Sequence, residues 1–578
     1  MFWKGFLRIF PFKRKAKQSS EPEAGNSRTE NAPRQEESPL GTALPAIEHE
    51  KASPGTSFPG GTAELEADLA VNIAKIQLAY GKSSDLVMRE LKTATTPSVK
   101  LAVIFIDGLV SDRTVAENII APLLKPSEEI VSEKVPPITF FETAEKSLLQ
   151  AGEVSVTSSL EEVFDELSSG KTVVLIGEEN RALLAGTQGW KERGVEEPAT
   201  EAVVRGPRDS FDENLRNNTA LLRLRLKSPR LHIEGFQIGV LTKTKVALAY
   251  LQGVASDKLL AEVKQRLERI KVDGILESGY LEEFIEDEPL SPFPQLLRTE
   301  RPDRVTACLL EGKVAIFTDG TPFVLLVPAF LPEFLTTPED YYERFFIGSF
   351  VRFIRYAAFA ISLVLPSLYV AIVTFHQEML PTPLILSIAS QREGVPFPTF
   401  VEALLLELVF EILREAGLRL PRIIGQAISI VGVIIVGQAA VEAGLFSQFM
   451  LIVVSLTAIA SFATPVFSLA ITLRLLRFAL LFLASALGVF GILIGVYIIL
   501  LHLVSLRSFG FPYLKPLGPV IASDLKDTFV RIPLWAMRTR PRLIVPPRDT
   551  IRQVESLKPE PPIDTGKRIT DKRGDEET

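Results

Sequence analysis

Charged residues that could move ions or bind small solutes stand out in this chain because the stretch around them excludes charge. From Tyr356 to Leu506 there is no lysine and no aspartate, yet Glu407 and Glu411 recur there at helical spacing, with Glu415 following and Glu402 on a different side. Carboxylates in so apolar a helix must face protein or water. Two roles fit: pairing with Arg414 and Arg419 in a structural salt-bridge network, or lining a cation route. The next run, Ile423 to Val441, carries Gly425, Ser429, Gly432 and Gly437 with the amides Gln426 and Gln438. Small residues at this density let helices approach closely, and the amides need a polar neighbour or water, so the run either packs tightly in a bundle or borders a pore. In the pore reading, Gly432, Val433, Val436 and Gly437 lie at or near the constriction.

Other motifs resolve into turns or fail. Gly170-Lys171-Thr172 lacks the glycine of a phosphate loop, since Asp165 stands in its place, and the residues after Thr172 form a strand where a phosphate-binding helix should start. Asp107-Gly108 and Asp319-Gly320 could be acids at strand ends, where α/β proteins bind ligands, but turn chemistry explains them more simply. His49, His232, His376 and His502 are too scattered for a metal site, and Cys308 is the only cysteine, so an intramolecular disulfide is excluded. Neither a metal nor a cofactor is expected, and no catalytic arrangement such as G-x-S-x-G is evident. A net charge of −7 gives no hint of nucleic-acid binding.

The elements that must hold these residues fall into two solvents. Residues 1–61 combine an aromatic and basic start (Trp3, Phe6, Phe10, Phe12, Lys13, Arg14), suited to a membrane face or to solvation, with a disordered linker. Residues 62–204 alternate helical patterns (Glu64 to Leu78, Arg113 to Leu124, Ser159 to Leu167) with strands (Val99 to Ile106, Thr172 to Ile176), which argues for an open α/β unit. Residues 205–337 read as a second, mixed α/β subdomain. It has helices at Phe211 to Leu226 and Asp257 to Ile270, paired strands at His232 to Leu241 and Lys245 to Leu251, and a hairpin around Thr318-Asp319-Gly320-Thr321-Pro322.

From 338 to 510 the composition is that of a membrane domain. Four to six segments are expected, at about 356–376, 399–415, 423–443, 446–464, a half-helix at 466–477 broken from its predecessor at Thr464-Pro465, and 478–506. Gly491 and Gly495 form a small-residue pair in the last of them. Arginines after 413 and after 473 place the N-terminal region on the cytoplasmic side, but the basic stretch of the 511–578 tail asks for the same side, which conflicts with an odd number of spans. The fold class is thus two small mixed α/β subdomains followed by an all-α polytopic membrane domain.

Several long stretches resemble one family in the right order. PEDYYERFFIGSFVRFIRYAAFAISLVLPSLYVAIVTFHQEMLPTPL (Pro338 to Leu384), VPFPTFVEALLLELVFEILREAGLRLPR (Val395 to Arg422), GQAISIVGVIIVGQAAVEAG (Gly425 to Gly444) and LRSFGFPYLKPLGP (Leu506 to Pro519) are similar to the A subunits of the GerA family, germinant receptors of endospore-forming bacteria. RGPRDSFDENLRNNTALLRLRL (Arg205 to Leu226) and DGILESGYLEEFIEDEPLSPFPQLLRTERPDRV (Asp273 to Val305) match equally well. The resemblance implies a non-enzymatic subunit in the spore inner membrane that works with a polytopic B subunit and a lipoprotein C subunit. It implies a response to nutrients such as amino acids or sugars, bound directly or through the B subunit, and an oligomeric, ligand-gated monovalent cation pathway that starts germination. Two alternatives stay open: the related sporulation stage V A-F protein, and a secondary transporter, which calls for inverted repeats and two matching broken helices where only one break is visible.

Overall fold

A computed structural model describes residues 64–94, 98–124, 137–189, 197–198, 200–419, 437, 439–541 and 543–545. The aromatic start and the linker within 1–61, and the chain beyond 545, lie outside the described residues. The first subdomain opens with α1 (Leu69–Tyr80), which Asp68 caps by accepting from the Ala70 amide, followed by β1 (Leu86–Lys92) and β2 (Lys100–Ile106). Helical turns over 112–124 and 137–148 lead to β3 (Val154–Thr157), α2 (Leu160–Ser168), β4 (Thr172–Ile176) and β5 (Ala182–Ala185). The sheet order is β1-β2-β4-β5-β3, and every pairing is antiparallel. The expected open α/β unit is thus built on two hairpins. Strands β1 and β5, which the helix–strand alternation passed over, turn β2 and β4 back on themselves, and strands joined by tight turns must run antiparallel.

The second subdomain repeats the first. After α3 (Leu215–Arg225) come β6 (Leu231–Ile238), β7 (Thr244–Leu251), α4 (Asp257–Arg269), α5 (Ser278–Ile285), β8 (Leu297–Thr299), α6 (Pro302–Leu310), β9 (Val314–Thr318) and β10 (Val324–Val327). Their order, β6-β7-β9-β10-β8, is the same strand order shifted by five, again all antiparallel. Each sheet carries apolar side chains on both faces: Ile104 and Val173 face one core, Val103 and Val174 the other. Helix α3 joins the subdomains, because Ala220 enters the first core and Leu222 the second. Its Arg223, 1% exposed in the side chain, donates through Nε and Nη2 to Asp85 at 2.7 and 2.9 Å.

The helical half begins with α7 (Phe345–Phe375), in which Pro366 sits inside the helix. It continues through α8 (Thr382–Arg392), α9 (Thr399–Arg419), α10 (Gln448–Phe462) and α11 (Phe467–Ser505). Helices α7 and α11 are long and apolar enough to cross a membrane. The expected break between a half-helix ending at 477 and a last span starting at 478 is instead a reversal ten residues later. Gly488 has φ 62° and ψ −142°, a conformation open only to glycine, and the arms on either side fold against each other. Leu480 shares a cluster with Val496, and Ala484 with Ile492. A Cβ on Gly491 would stand 2.1 Å from the Leu483 carbonyl oxygen, and one on Gly495 would stand 2.3 Å from Leu480 Cδ2, so this small-residue pair marks where backbone meets neighbouring arm.

The ends of the helices sort onto two levels. Val466, Leu469, Leu503, Leu506 and Tyr513 belong to the same core as β7, β9 and α6, so both feet of the α11 hairpin stand on the second subdomain. At the opposite end, His376 closes on Gly488, and the Glu402 carboxylate holds Ser447. Helix α9 thus starts at the distal end and finishes near the α/β region, where Arg414 stacks on Phe462 and Phe467. Gly444 stands beside Gly394 at the distal level. Both ends of the helical half therefore meet the α/β region. Parts of the tail after Leu506 pack on the α/β region: Ser508 bonds Gln295 and Ala329, and Ile544 and Val545 join the core.

Candidate functional site

Helix α9 and the first arm of α11 run in opposite directions, so a residue four positions on in α9 meets one three positions back in the arm. This brings Glu407 to Arg477, with Arg477 Nη1 donating to Glu407 Oε2 at 2.6 Å, and Glu411 to Arg474, also at 2.6 Å. Of the expected partners, Arg414 takes none of these carboxylates among the described residues, and Arg419 pairs with Glu415 alone, at 2.6 Å and largely exposed. Glu407 and Arg477 are 2% and 3% exposed. Arg477 also donates through Nε to the Ser362 carbonyl of α7 at 2.7 Å, so one guanidinium ties three helices. Its Nη2 and the Oε1 of Glu407 have no hydrogen-bond partner. A buried ion pair left with spare polar atoms is incompletely compensated for its lost hydration.

These groups surround a cavity of about 490 Å³ whose wall includes Glu407, Glu411, Arg414, Arg474, Arg477 and Gly437. Gly437 is the pore candidate that the described residues contain, and a Cβ placed on it meets no other described residue within 4 Å. Gly425, Gln426, Ser429, Gly432, Val433, Val436 and Gln438 lie outside the described residues.

Glu402, set aside by the sequence reading, is fully buried. Its Oε1 accepts from the Ser447 amide at 2.5 Å and the Ser447 hydroxyl at 2.6 Å, while Ser447 caps α10. Its place in the first turn of α9 was the available signal, because an acid there favours the helix start. The partner 45 residues away could be found only by folding.

In the α/β region the two strand-end acids, Asp107 and Asp319, come from different subdomains yet line one cleft of about 530 Å³ with Arg216 and Lys245. Arg216 is paired to Asp107 and Asp112, and its guanidinium is held further toward the charged form by the Asp112 hydrogen bond. Asp319 Oδ1 accepts from the Leu215 amide at 3.1 Å. Lys171, the residue of the failed phosphate motif, lies between Glu153 and Glu166. Cys308 sits on a third cavity, of about 510 Å³, with Lys313, Glu333 and the tail residue Met537. Burial pushes its thiol up to about 11, well away from a reactive thiolate. Among the described residues there is no group of three or more His, Cys, Asp or Glu side chains that could hold a metal ion.

Residues 74–543 match the family described as Bacillus/Clostridium GerA spore germination protein. The chain belongs to the GerA family. It is 46% identical over 502 residues to spore germination protein KA of Bacillus subtilis (strain 168), covering 87% of this chain and 91% of that one. It is 44% identical over 477 residues to the uncharacterized membrane protein YfkQ of the same organism, covering 82% and 91%. Among solved structures it is similar to the N-terminal domain of the A subunit of the Bacillus megaterium spore germinant receptor GerK3, with 32% identity and a TM-score of 0.37 over 47% of this chain and 99% of that one. As a GerA-family A-subunit relative, the chain has a role in spore germination.

Proposed function

We propose that this chain is the membrane-embedded A subunit of a nutrient-responsive germinant receptor and that, as an oligomer, it forms or gates a monovalent cation pathway. The observation that carries the reading is the ladder of Glu407–Arg477 and Glu411–Arg474 inside a helical half that holds no lysine or aspartate from Tyr356 to Leu506, bordering the cavity that Gly437 lines. Charges are retained in such surroundings where they act on ions or hold a two-position contact. Insertion in a bilayer is supported by exposed side chains such as Phe350, Ile459 and Phe490, each more than 60% exposed. The α/β region and the tail then share the cytoplasmic side of the spore inner membrane, and the polytopic B and lipoprotein C subunits complete the receptor.

In this conformation the carboxylates are neutralised by arginines, so a cation route through them opens only when the α11 hairpin shifts against α9. Spores carrying Val433→Ala or Val436→Ala test the pathway through release of monovalent cations before and after nutrient. Leak without nutrient, or a lowered nutrient threshold, is the expected result. Normal retention and normal germination with both variants would remove these residues from the route. Deleting the gene and exposing spores to single nutrients separates a receptor, which loses one nutrient class, from the stage V A-F paralogue, which loses none.

A further inference from the structure

We infer that the arginine-lined cavity between α9, α10 and the first arm of α11 is a binding site for the phosphate of an anionic phospholipid. The inference rests on the membrane placement proposed above. The wall carries three guanidinium groups, Arg414, Arg474 and Arg477, against two carboxylates, Glu407 and Glu411, a surplus of one positive charge. Arg414 supplies that surplus: among the described residues it has no carboxylate partner, and its guanidinium is held over Phe462 and Phe467 at 5.1 and 5.7 Å from the ring centroids. Arg477, deeply buried, adds an Nη2 without a partner. A monoanion with several acceptor oxygens satisfies both, because phosphate takes charge-assisted bonds from more than one guanidinium.

Depth and access select a lipid. Arg474 lies seven residues into the arm from Phe467, roughly 10 Å from the foot that stands on the α/β region, which is headgroup depth on that side. A second opening of about 340 Å³ shares Glu411, Arg414 and Arg474 with the cavity and continues past Arg419 and Ile471 toward the exterior. Further in, the wall turns apolar at Phe410, Leu451 and Val454, where an acyl chain finds hydrocarbon surroundings. Basic pockets between helices near the cytoplasmic face are a recurrent setting for anionic headgroups. Bound there, a lipid would brace the α9–α11 contact that the gating proposal requires to move.

The full chain, purified in detergent, is titrated with phosphatidylglycerol, with phosphatidylcholine and with inorganic phosphate, and its thermal midpoint is followed. Phosphatidylglycerol should raise the midpoint and the other two should not. Arg414→Gln, which removes no ion pair, should need about tenfold more phosphatidylglycerol for half the shift measured from its own lipid-free midpoint. Co-purifying phosphatidylglycerol, counted by mass spectrometry, should fall in the same variant. Equal shifts with phosphatidylcholine, a shift reproduced by inorganic phosphate, or an undiminished response in Arg414→Gln would each overturn the inference. Failure of the membrane placement shows separately, as protein that stays in the supernatant without detergent.

Discussion

At the scale of single residues, burial decides what each charge does. Replacing Arg477 by Gln strands Glu407 in an apolar contact and should cost about 3–5 kcal/mol, as should Glu407→Gln in the opposite sense. The double variant should cost clearly less than the sum of the two, and thermal unfolding of the four proteins in detergent measures that coupling. Glu286, at the end of α5, gives a pH signature. Burial, and then the nearby Glu282, push its carboxyl up to about 7. The folded state therefore holds a proton that the unfolded state has released, so this group's contribution is full below about 4.5 and is lost as pH rises to about 7. The stability difference between the native chain and Glu286→Gln should change across that window and be flat on either side. A difference independent of pH would show that Glu286 titrates normally.

At the scale of elements, the decisive piece is α11. A mainly apolar segment of 39 residues, charged only at Arg474 and Arg477, is far longer than one crossing needs, and its sequence marks the reversal only by Gly488 among several glycines. The requirement becomes visible once the arms are apposed. Gly491→Val should abolish accumulation of folded protein, because the added atoms meet the Leu483 carbonyl, whereas Gly437→Ala should accumulate normally because no other described residue stands within 4 Å of the added methyl. Detergent-soluble, monodisperse protein recovered per cell is the measure. Helix α9 was legible as a helix with one acidic face. The identity of its partners was not, because an i,i+4 arginine is visible along a sequence while Arg474 and Arg477 arrive from some 65 residues away.

At the scale of the molecule, the tail clamps the foot of the first long helix. Arg352 donates to Asp340 through Nε at 2.9 Å and to Asp527 through Nη1 at 2.8 Å, Arg355 also holds Asp340, and Arg531 reaches the Glu343 carbonyl. Any movement of the α/β region must therefore pass into α7 through this cluster and the shared core. Removing residues 524–578 should speed amide hydrogen exchange in 345–356 while leaving β2 and β4 protected. Unchanged exchange at the foot of α7 would mean that Asp340 alone holds it.

By itself the sequence determined the change of composition near residue 355, the two α/β subdomains, the placement of most helices and the family. These follow from composition and from short-range periodicity, which each segment carries whatever it later touches. Tertiary structure alone decided that the two sheets share one strand order, that the hairpin turns at Gly488, that Glu407 and Glu411 answer to Arg477 and Arg474, and that both ends of the helical half return to the same level. Those outcomes depend on contacts between distant segments, whose stability is set by which faces can be buried together and leaves no local trace in the order of residues.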